Sequence, residues 1–317
     1  MIRDIRANSS INGEKFLIDK VIQGVTTQGS TYLTLILKDN TGIIEGRVWN
    51  CQSQDIEKLK SGKVIAISGQ TIEFRDVLQL KIDKYFIIED KDINWNDFII
   101  CPPISKEQMW EEIQYFINEI KHSVWKEIVI EILKKEKERF MVVPAATRNH
   151  HNIRSGLMWH TLTMLKTAQA ISKVYSDRKI NLSLLYAGII LHDMGKTKEL
   201  LGDIVVDYGY EGKLIGHISI MAAEIMVVSK TLNLDETAAI LLQHMVLASH
   251  GKKDFGSPVL PQIIEAEILH FIDNLDARIY AIDTILTDID SNEFSQRLSG
   301  LEGRSFYKHN IKDNENK

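Results

Sequence analysis

Imidazoles and carboxylates recur in the C-terminal half of this chain at the ends and in the interiors of strongly apolar stretches, where an unpaired polar group is costly. His160 follows Gly156-Leu157-Met158-Trp159, His192-Asp193 closes the run LLYAGIIL, and His217 follows Gly216. His244 interrupts ILLQHMVL, His250 stands in SHG, and Asp273 ends EILHFID. Neutral imidazole with carboxylate is the donor set of a hard-to-borderline divalent cation such as Mn²⁺, Fe²⁺, Co²⁺ or Zn²⁺. With no cysteine among the donors, the set points to a catalytic rather than a structural site. His192 and Asp193, adjacent at a helix C-terminus, can turn both side chains to one ion, and Asp193 can bridge two. The chemistry predicted is that of a catalytic metal site.

A lone His-Asp pair carries little, but the order His160, His192-Asp193, Asp273 resembles the signature of the HD superfamily of metal-dependent phosphohydrolases. The pentapeptide HDMGK at 192–196 matches the HDxGK form common there. The resemblance implies one ion on His160, His192, Asp193 and Asp273. It implies a second ion, bridged by Asp193, on His217, His244 and His250, which resemble the extra histidines of two-metal members. Asp193 is then the central catalytic carboxylate, and Lys196 is placed to meet a phosphate. Asp276, in DNLDA, is set aside in favour of Asp273, which directly follows the apolar run. His122, His150 and His309 read as surface or supporting residues and His270 as a packing residue.

Five separate segments must bring these residues together. From about residue 155 the sequence reads as helical throughout, in GLMWHTLTMLKTAQAI, NLSLLYAGIILHD, HISIMAAEIMVVSK, DETAAILLQHM and LPQIIEAEILHFIDNLDARIYAI. Residues 105–140 predict two further helices, with Ile113, Phe116, Ile117 and Ile120 on one face and the charged KKEKERF as a solvated one. The first ninety residues differ: KFLIDKVI, TYLTLILKD, GIIEGRVWN, KVIAISGQTIEF and LQLKIDKYFII alternate and are rich in β-branched types. Turn signals at Thr27-Gln28-Gly29-Ser30, Asp39-Asn40-Thr41-Gly42 and Ser61-Gly62-Lys63, with a short helix expected over Gln54–Leu59, make this an OB-type barrel. The polar Asp90–Asn96 and Cys101-Pro102-Pro103 mark the break.

The fold predicted is therefore a multidomain α and β protein with a five-stranded OB-type β-barrel over 1–90, a linker over 91–104 and a helical connector over 105–150. An all-α HD domain follows over 151–306, then a polar tail over 307–317. A net charge of −5 excludes a protein coated in positive charge for indiscriminate DNA binding, so any nucleic-acid contact must be local. Cys51 and Cys101, far apart and outside any CxxC pair, exclude a disulfide framework or zinc ribbon and fit a reducing cytoplasm. The opening MIRDIRANSS has no apolar h-region and no apolar run is long enough to span a bilayer, which predicts a cytoplasmic protein without a membrane partner.

An OB-like domain ahead of a helical HD domain, with HHNIRSGLMWHT at 150–161, HDMGK at 192–196 and SHGKKDFGSPVLP at 249–261, resembles the YhaM-type 3′→5′ exoribonucleases of bacteria. The resemblance runs over most of the chain, departing where Ser249 replaces the histidine that family members often carry there. It implies a Mn²⁺- or Co²⁺-dependent enzyme, with Fe²⁺ also suited, that releases nucleoside 5′-monophosphates from single-stranded RNA and also single-stranded DNA. It implies a homo-oligomer as well. His151 and Arg154 are candidates for holding the terminal nucleotide. Arg47 and Trp49, with Tyr32, Phe74, Tyr85, Lys38 and Arg75, are candidates for gripping the strand by stacking beside positive charge. Two other readings stay open: an HD phosphohydrolase of small nucleotides or cyclic dinucleotides, which the missing GYP signature disfavours, and a non-catalytic nucleic-acid-binding protein.

Overall fold

The structure, a computed structural model, describes residues 1–74, 77–99, 101–146, 153–202, 207–287 and 289–311, the side chains of Phe74, Asp90 and Phe255 excepted. The chain divides into two compact units, one of Met1–Pro103 with Gly202–Asp207, the other of Ile104–Leu201 with Tyr208–Lys317.

In the first unit, alternation of apolar and polar residues builds five strands: β1 (Ser10–Val25), β2 (Thr31–Asp39), β3 (Gly42–Val48), β4 (Val64–Phe74) and β5 (Val77–Ile87). They close into a barrel in the order β1-β2-β3-β5-β4, with β3 and β5 parallel and the other pairs antiparallel. The long β1 serves both β2 and β4, and its register shifts at Asn12/Glu14 and Ile18/Lys20 let it bend around the barrel. Inward-facing Phe16, Ile18, Leu33, Leu35, Leu37, Ile65, Ile67 and Leu80 fill the interior. A short helix, α1 (Ser53–Lys58), lies between β3 and β4 in sequence, as expected of an OB fold.

The second unit is helical, as its 3.6-residue periodicity predicts: α2 (Lys106–Glu119), α3 (Ser123–Phe140), α4 (Gly156–Val174), α5 (Leu182–Leu191), α6 (Lys196–Glu199), α7 (Tyr210–Leu214), α8 (His217–Thr231), α9 (Glu236–Leu247) and α10 (Ile264–Thr287). The α5 sequence LSLLYAGIIL is buried from Leu184 to Leu191, because α4, α9, α10 and α3 surround it. Ser105 and Asn181 cap α2 and α5 through their side-chain oxygens.

The helical reading from residue 155 onward fails between α9 and α10, where residues 248–263 form no α-helix, and in two further places. A two-stranded ladder, β6 (Leu200–Leu201) with β7 (Asp207–Tyr208), interrupts the helices. Beyond α10 the chain folds back on itself through bridges Phe294↔Tyr307 and Leu298↔Arg304, around a single 3₁₀ turn at Ser299–Leu301. Asn292, Glu302 and Gly303 take positive φ there, which a helix cannot accommodate. The expected polar tail also starts later than Tyr307, whose hydroxyl bonds Asn292, while Lys308 Nζ donates to the Ile289 carbonyl. None of the described helices is long and apolar enough to cross a membrane.

Candidate metal centre and its cleft

His160 and His192 are 0% exposed and Asp193 is 2% exposed, so each must answer for its polar atoms inside the protein. The Nδ1 atoms do so. His160 Nδ1–H donates to Asp276 Oδ2 at 2.6 Å, His192 Nδ1–H to the Ile189 carbonyl at 2.8 Å, and His217 Nδ1–H to Glu199 Oε2 at 3.0 Å. Each bond commits Nδ1 as a donor and turns Nε2 toward the neighbouring carboxylates and imidazoles. Glu199 grips His217 twice, since its Oε1 accepts from the His217 backbone amide at 3.2 Å.

The remaining donor atoms converge in two groups. Donor atoms of His160, His192 and Asp273 lie within 4.8 Å of one another, and so do those of Asp193, His217 and His250. Asp193 straddles the two: its Oδ2 lies 3.4 Å from His192 Nε2 and 3.8 Å from His160 Nε2, while Oδ1 lies 3.4 Å from His217 Nε2. Asp273 Oδ1 stands 3.2 Å from His160 Nε2. Lys196 Nζ lies 2.7 Å from Asp193 Oδ2.

Electrostatics keep the carboxylates charged. Burial opposes ionisation of Asp193, but the Lys196 ammonium and the His192 and His217 rings hold it well below the usual carboxylate range. Asp273 is likewise opposed by burial yet drawn down to about 2, chiefly by its hydrogen bond with His160. Burial would keep His160 neutral, but Asp273 and Asp276 outweigh it and push its pKa up to about 10, so a cation taken at Nε2 would displace a proton held there between His160 and Asp273.

The buried His192 Nε2, His217 Nε2 and Asp193 Oδ1 have no hydrogen-bond partner. Orphaned buried acceptors facing one another are costly unless a cation sits among them. Imidazole nitrogens with carboxylate oxygens, and no thiolate, are the donors a divalent metal takes. The residues fit the metal.

Local sequence explains the convergence. The HDMGK step ends α5 and starts α6, and a Cβ on Gly195 would lie 2.2 Å from the His217 carbonyl oxygen. Glycine there lets the α6 start press against the α8 start, and that approach sets His217 opposite Asp193.

Not every expected residue arrives. His244 joins neither group: its Nε2 accepts from the Gln262 backbone amide at 3.0 Å, and burial lowers its pKa. Arg154, just before α4, is half-buried and is not among the residues lining the cleft described next; His151 lies outside the described residues. Asp276 and Glu199, which orient His160 and His217, went unassigned in sequence; Asp276, one helical turn from Asp273, carried a signal for such a partner, whereas Glu199, 18 residues from His217, carried none.

The metal groups open into a cleft of about 1020 Å³ lined by Asp193, Lys196, His217, His250 and Asp273. The cleft continues along α10 past Ala277, Arg278 and Ala281 to Leu298–Glu302. His270 also lines it, with Nδ1 buried and unbonded, so it is not the satisfied packing residue expected.

On the barrel, Trp49 is 41% exposed, its ring 5.0 Å from that of Tyr32, with the Arg47 guanidinium 5.8 Å from the Trp49 ring centre. A Cβ on Gly24 would overlap the Tyr32 ring, so glycine leaves room for Tyr32 to lie against β1. Tyr85 is engaged otherwise, donating to Asp55 at 2.5 Å. Arg75 lies outside the described residues.

Comparison with known proteins agrees with this architecture. The OB-fold nucleic acid binding domain family matches residues 17–88 and the HD domain family residues 157–278. The protein named 3′-5′ exoribonuclease YhaM of Halalkalibacterium halodurans is 43% identical, over 93% of this chain and 92% of its own length. Proteins of the same name from Shouchella clausii and Bacillus subtilis are 40% and 39% identical, over 97% and 92% of this chain and 96% and 93% of theirs. With an OB-fold domain followed by an HD domain in this chain, and relatives aligned to it almost end to end, one assignment is left: the chain belongs to the YhaM family of 3′-5′ exoribonucleases.

Proposed function

We propose that this protein is a metal-dependent 3′→5′ exoribonuclease that hydrolyses single-stranded RNA, and single-stranded DNA as well, to nucleoside 5′-monophosphates. One observation carries the reading: orphaned buried donors of Asp193, His192 and His217, in two groups straddled by Asp193, open into one cleft.

His160, His192 and Asp273 would hold one ion, His217 and His250 a second, and Asp193 would offer one carboxylate oxygen to each. Bound divalent ions, Mn²⁺ or Co²⁺ in preference to Fe²⁺, supply Lewis acidity to the phosphoryl oxygens and lower the pKa of water. Lys196, held on Asp193 and lining the cleft, adds positive charge where negative charge grows on the phosphoryl group. Asp276 and Glu199 keep the imidazoles aimed at the cavity. Trp49, Tyr32 and Arg47 are read as a stacking platform for bases of the strand. A cytoplasmic homo-oligomer completes the reading. Phe271, Leu275 and Ile279, exposed at four-residue spacing on α10, support self-association, which sedimentation of the purified protein tests.

The test is a 5′-labelled single-stranded RNA incubated with Mn²⁺ and either the wild type or Asp193→Ala. A ladder descending one nucleotide at a time that the variant abolishes supports the reading. Intact RNA across several metals, with mononucleotides hydrolysed instead, moves the site to a small-nucleotide phosphohydrolase.

A further inference from the structure

The cleft does not end at the metal groups. From Asp273 it follows one face of α10 to Ile285, twelve residues and so about 18 Å along the helix axis. Its opposite wall is the C-terminal turn Leu298–Glu302. That turn is a built feature: Leu301 is buried, the Gly303 amide donates to the Leu298 carbonyl at 3.0 Å, and the Leu298 amide donates to the Arg304 carbonyl at 2.9 Å.

The character of the walls changes along this arm. About 7.5 Å beyond Asp273 stands Arg278, whose guanidinium meets the Glu302 carboxylate through Nη1 and Nη2 at 3.0–3.2 Å. Arg304 Nη2 holds the same carboxylate at 2.8 Å. Two guanidinium groups thus fix one carboxylate that is still 62% exposed, with the pKa of Glu302 lowered chiefly by its hydrogen bond to Arg278. Beside and beyond Arg278, Ala277, Ala281, Ile285, Leu298 and Leu301 are small or apolar, and the Thr284 hydroxyl is spent on the Tyr280 carbonyl. Among the described residues lining the arm beyond Asp273, the charged groups are Arg278 and Glu302, which offset each other.

A polyanionic strand needs repeated positive charge along its track, whereas Arg278, the one cation lining this arm among the described residues, and the neighbouring Arg304 are both committed to Glu302. The arm suits the part of a strand that carries no further phosphate: the terminal nucleoside. Phosphate at the level of Asp273, ribose at Glu302 and base among Ala281, Ile285 and Leu298 follow the order of a nucleotide's own parts.

Resting on the exoribonuclease reading, we propose that Glu302, positioned by Arg278 and Arg304, reads the free 3′ end: its carboxylate accepts from the 2′- and 3′-hydroxyls of the terminal ribose and repels a 3′-phosphate. A fixed carboxylate is the usual partner of a ribose hydroxyl. The apolar arm beyond it holds the base without asking which base it is.

The experiment uses one RNA sequence with three ends, a 2′,3′-diol, a 2′,3′-dideoxy end and a 3′-phosphate, under Mn²⁺ with wild type, Glu302→Gln and Glu302→Ala, reading kcat and KM for removal of the first nucleotide. The wild type is expected to show KM about 10- to 100-fold higher for the dideoxy end than for the diol, with kcat changed less, and slower removal still from the 3′-phosphate end. Glu302→Ala should handle diol and dideoxy ends alike, and Glu302→Gln should regain most of the diol preference while losing about tenfold of the discrimination against phosphate. Equal KM for diol and dideoxy ends in the wild type, or unchanged discrimination in Glu302→Ala, overturns the inference. A wild type that yields no ladder on the diol RNA defeats the exoribonuclease reading itself, a separate result. Glu302 is exposed, and thermal unfolding of both variants verifies that they fold.

Discussion

Three imidazoles of the site spend Nδ1 inside the protein and keep Nε2 for the cavity. Asp276 does this for His160, so Asp276→Ala should lower divalent-metal affinity about 10- to 100-fold, measured by titration of Mn²⁺ into metal-free protein, and Asp273→Ala should lower it further. Both aspartates lie on the same face of α10 one turn apart, which is why sequence alone offered both and could rank them only by pattern. His244 shows the opposite case. Its place in an apolar helix asks for a partner, and the partner is the Gln262 amide rather than a metal. Its folded pKa falls below the ordinary 6.5 because of burial, so the unfolded chain takes up a proton that the folded one refuses. The stability that His244 contributes is complete above that value and is lost as pH falls through the folded pKa. In His244→Gln the side-chain oxygen can still accept from Gln262. That variant should therefore lose less thermal stability than the wild type between about pH 7 and pH 5, with Mn²⁺ affinity unchanged.

At the level of elements, the site depends on how closely α6 approaches the first turn of α8. Gly195→Ala would place a methyl group 2.2 Å from the His217 carbonyl oxygen, and the two starts would have to part. The expected outcome is a loss of about 1–3 kcal/mol in denaturant unfolding, with weaker binding at the Asp193, His217 and His250 group than at the other. The HDxGK pattern was legible in sequence, but its glycine acquires a physical reason only once the contact 22 residues away is seen. The helices and barrel strands were legible because periods of 3.6 and 2 are local properties of the chain. The wall of the cleft at Leu298–Glu302 was not, since a turn that works by packing on α10 leaves no periodic trace, and the helical reading ran through it.

The whole molecule joins two units with separate apolar cores, one inside the barrel and one among the helices. The shift from alternating β-branched residues to helical periodicity near residue 100 made that division readable before any fold was known. Hydrolysis at the metal groups concerns one phosphodiester, whereas processing a strand also requires a hold on bases away from it. If the barrel supplies that hold through Trp49 and Tyr32, Trp49→Ala removes stacking surface from one unit and leaves the chemistry of the other intact. Stacking contributes about 1–3 kcal/mol per base, so KM for a long single-stranded RNA should rise about 5- to 100-fold with kcat nearly unchanged. Cleavage of a dinucleotide, too short to need that hold, should proceed at the wild-type rate in the same variant. A matching loss on the dinucleotide would place Trp49 in the folding of the protein or in the chemistry itself. An unchanged KM on the long RNA would move the grip to another face of the barrel.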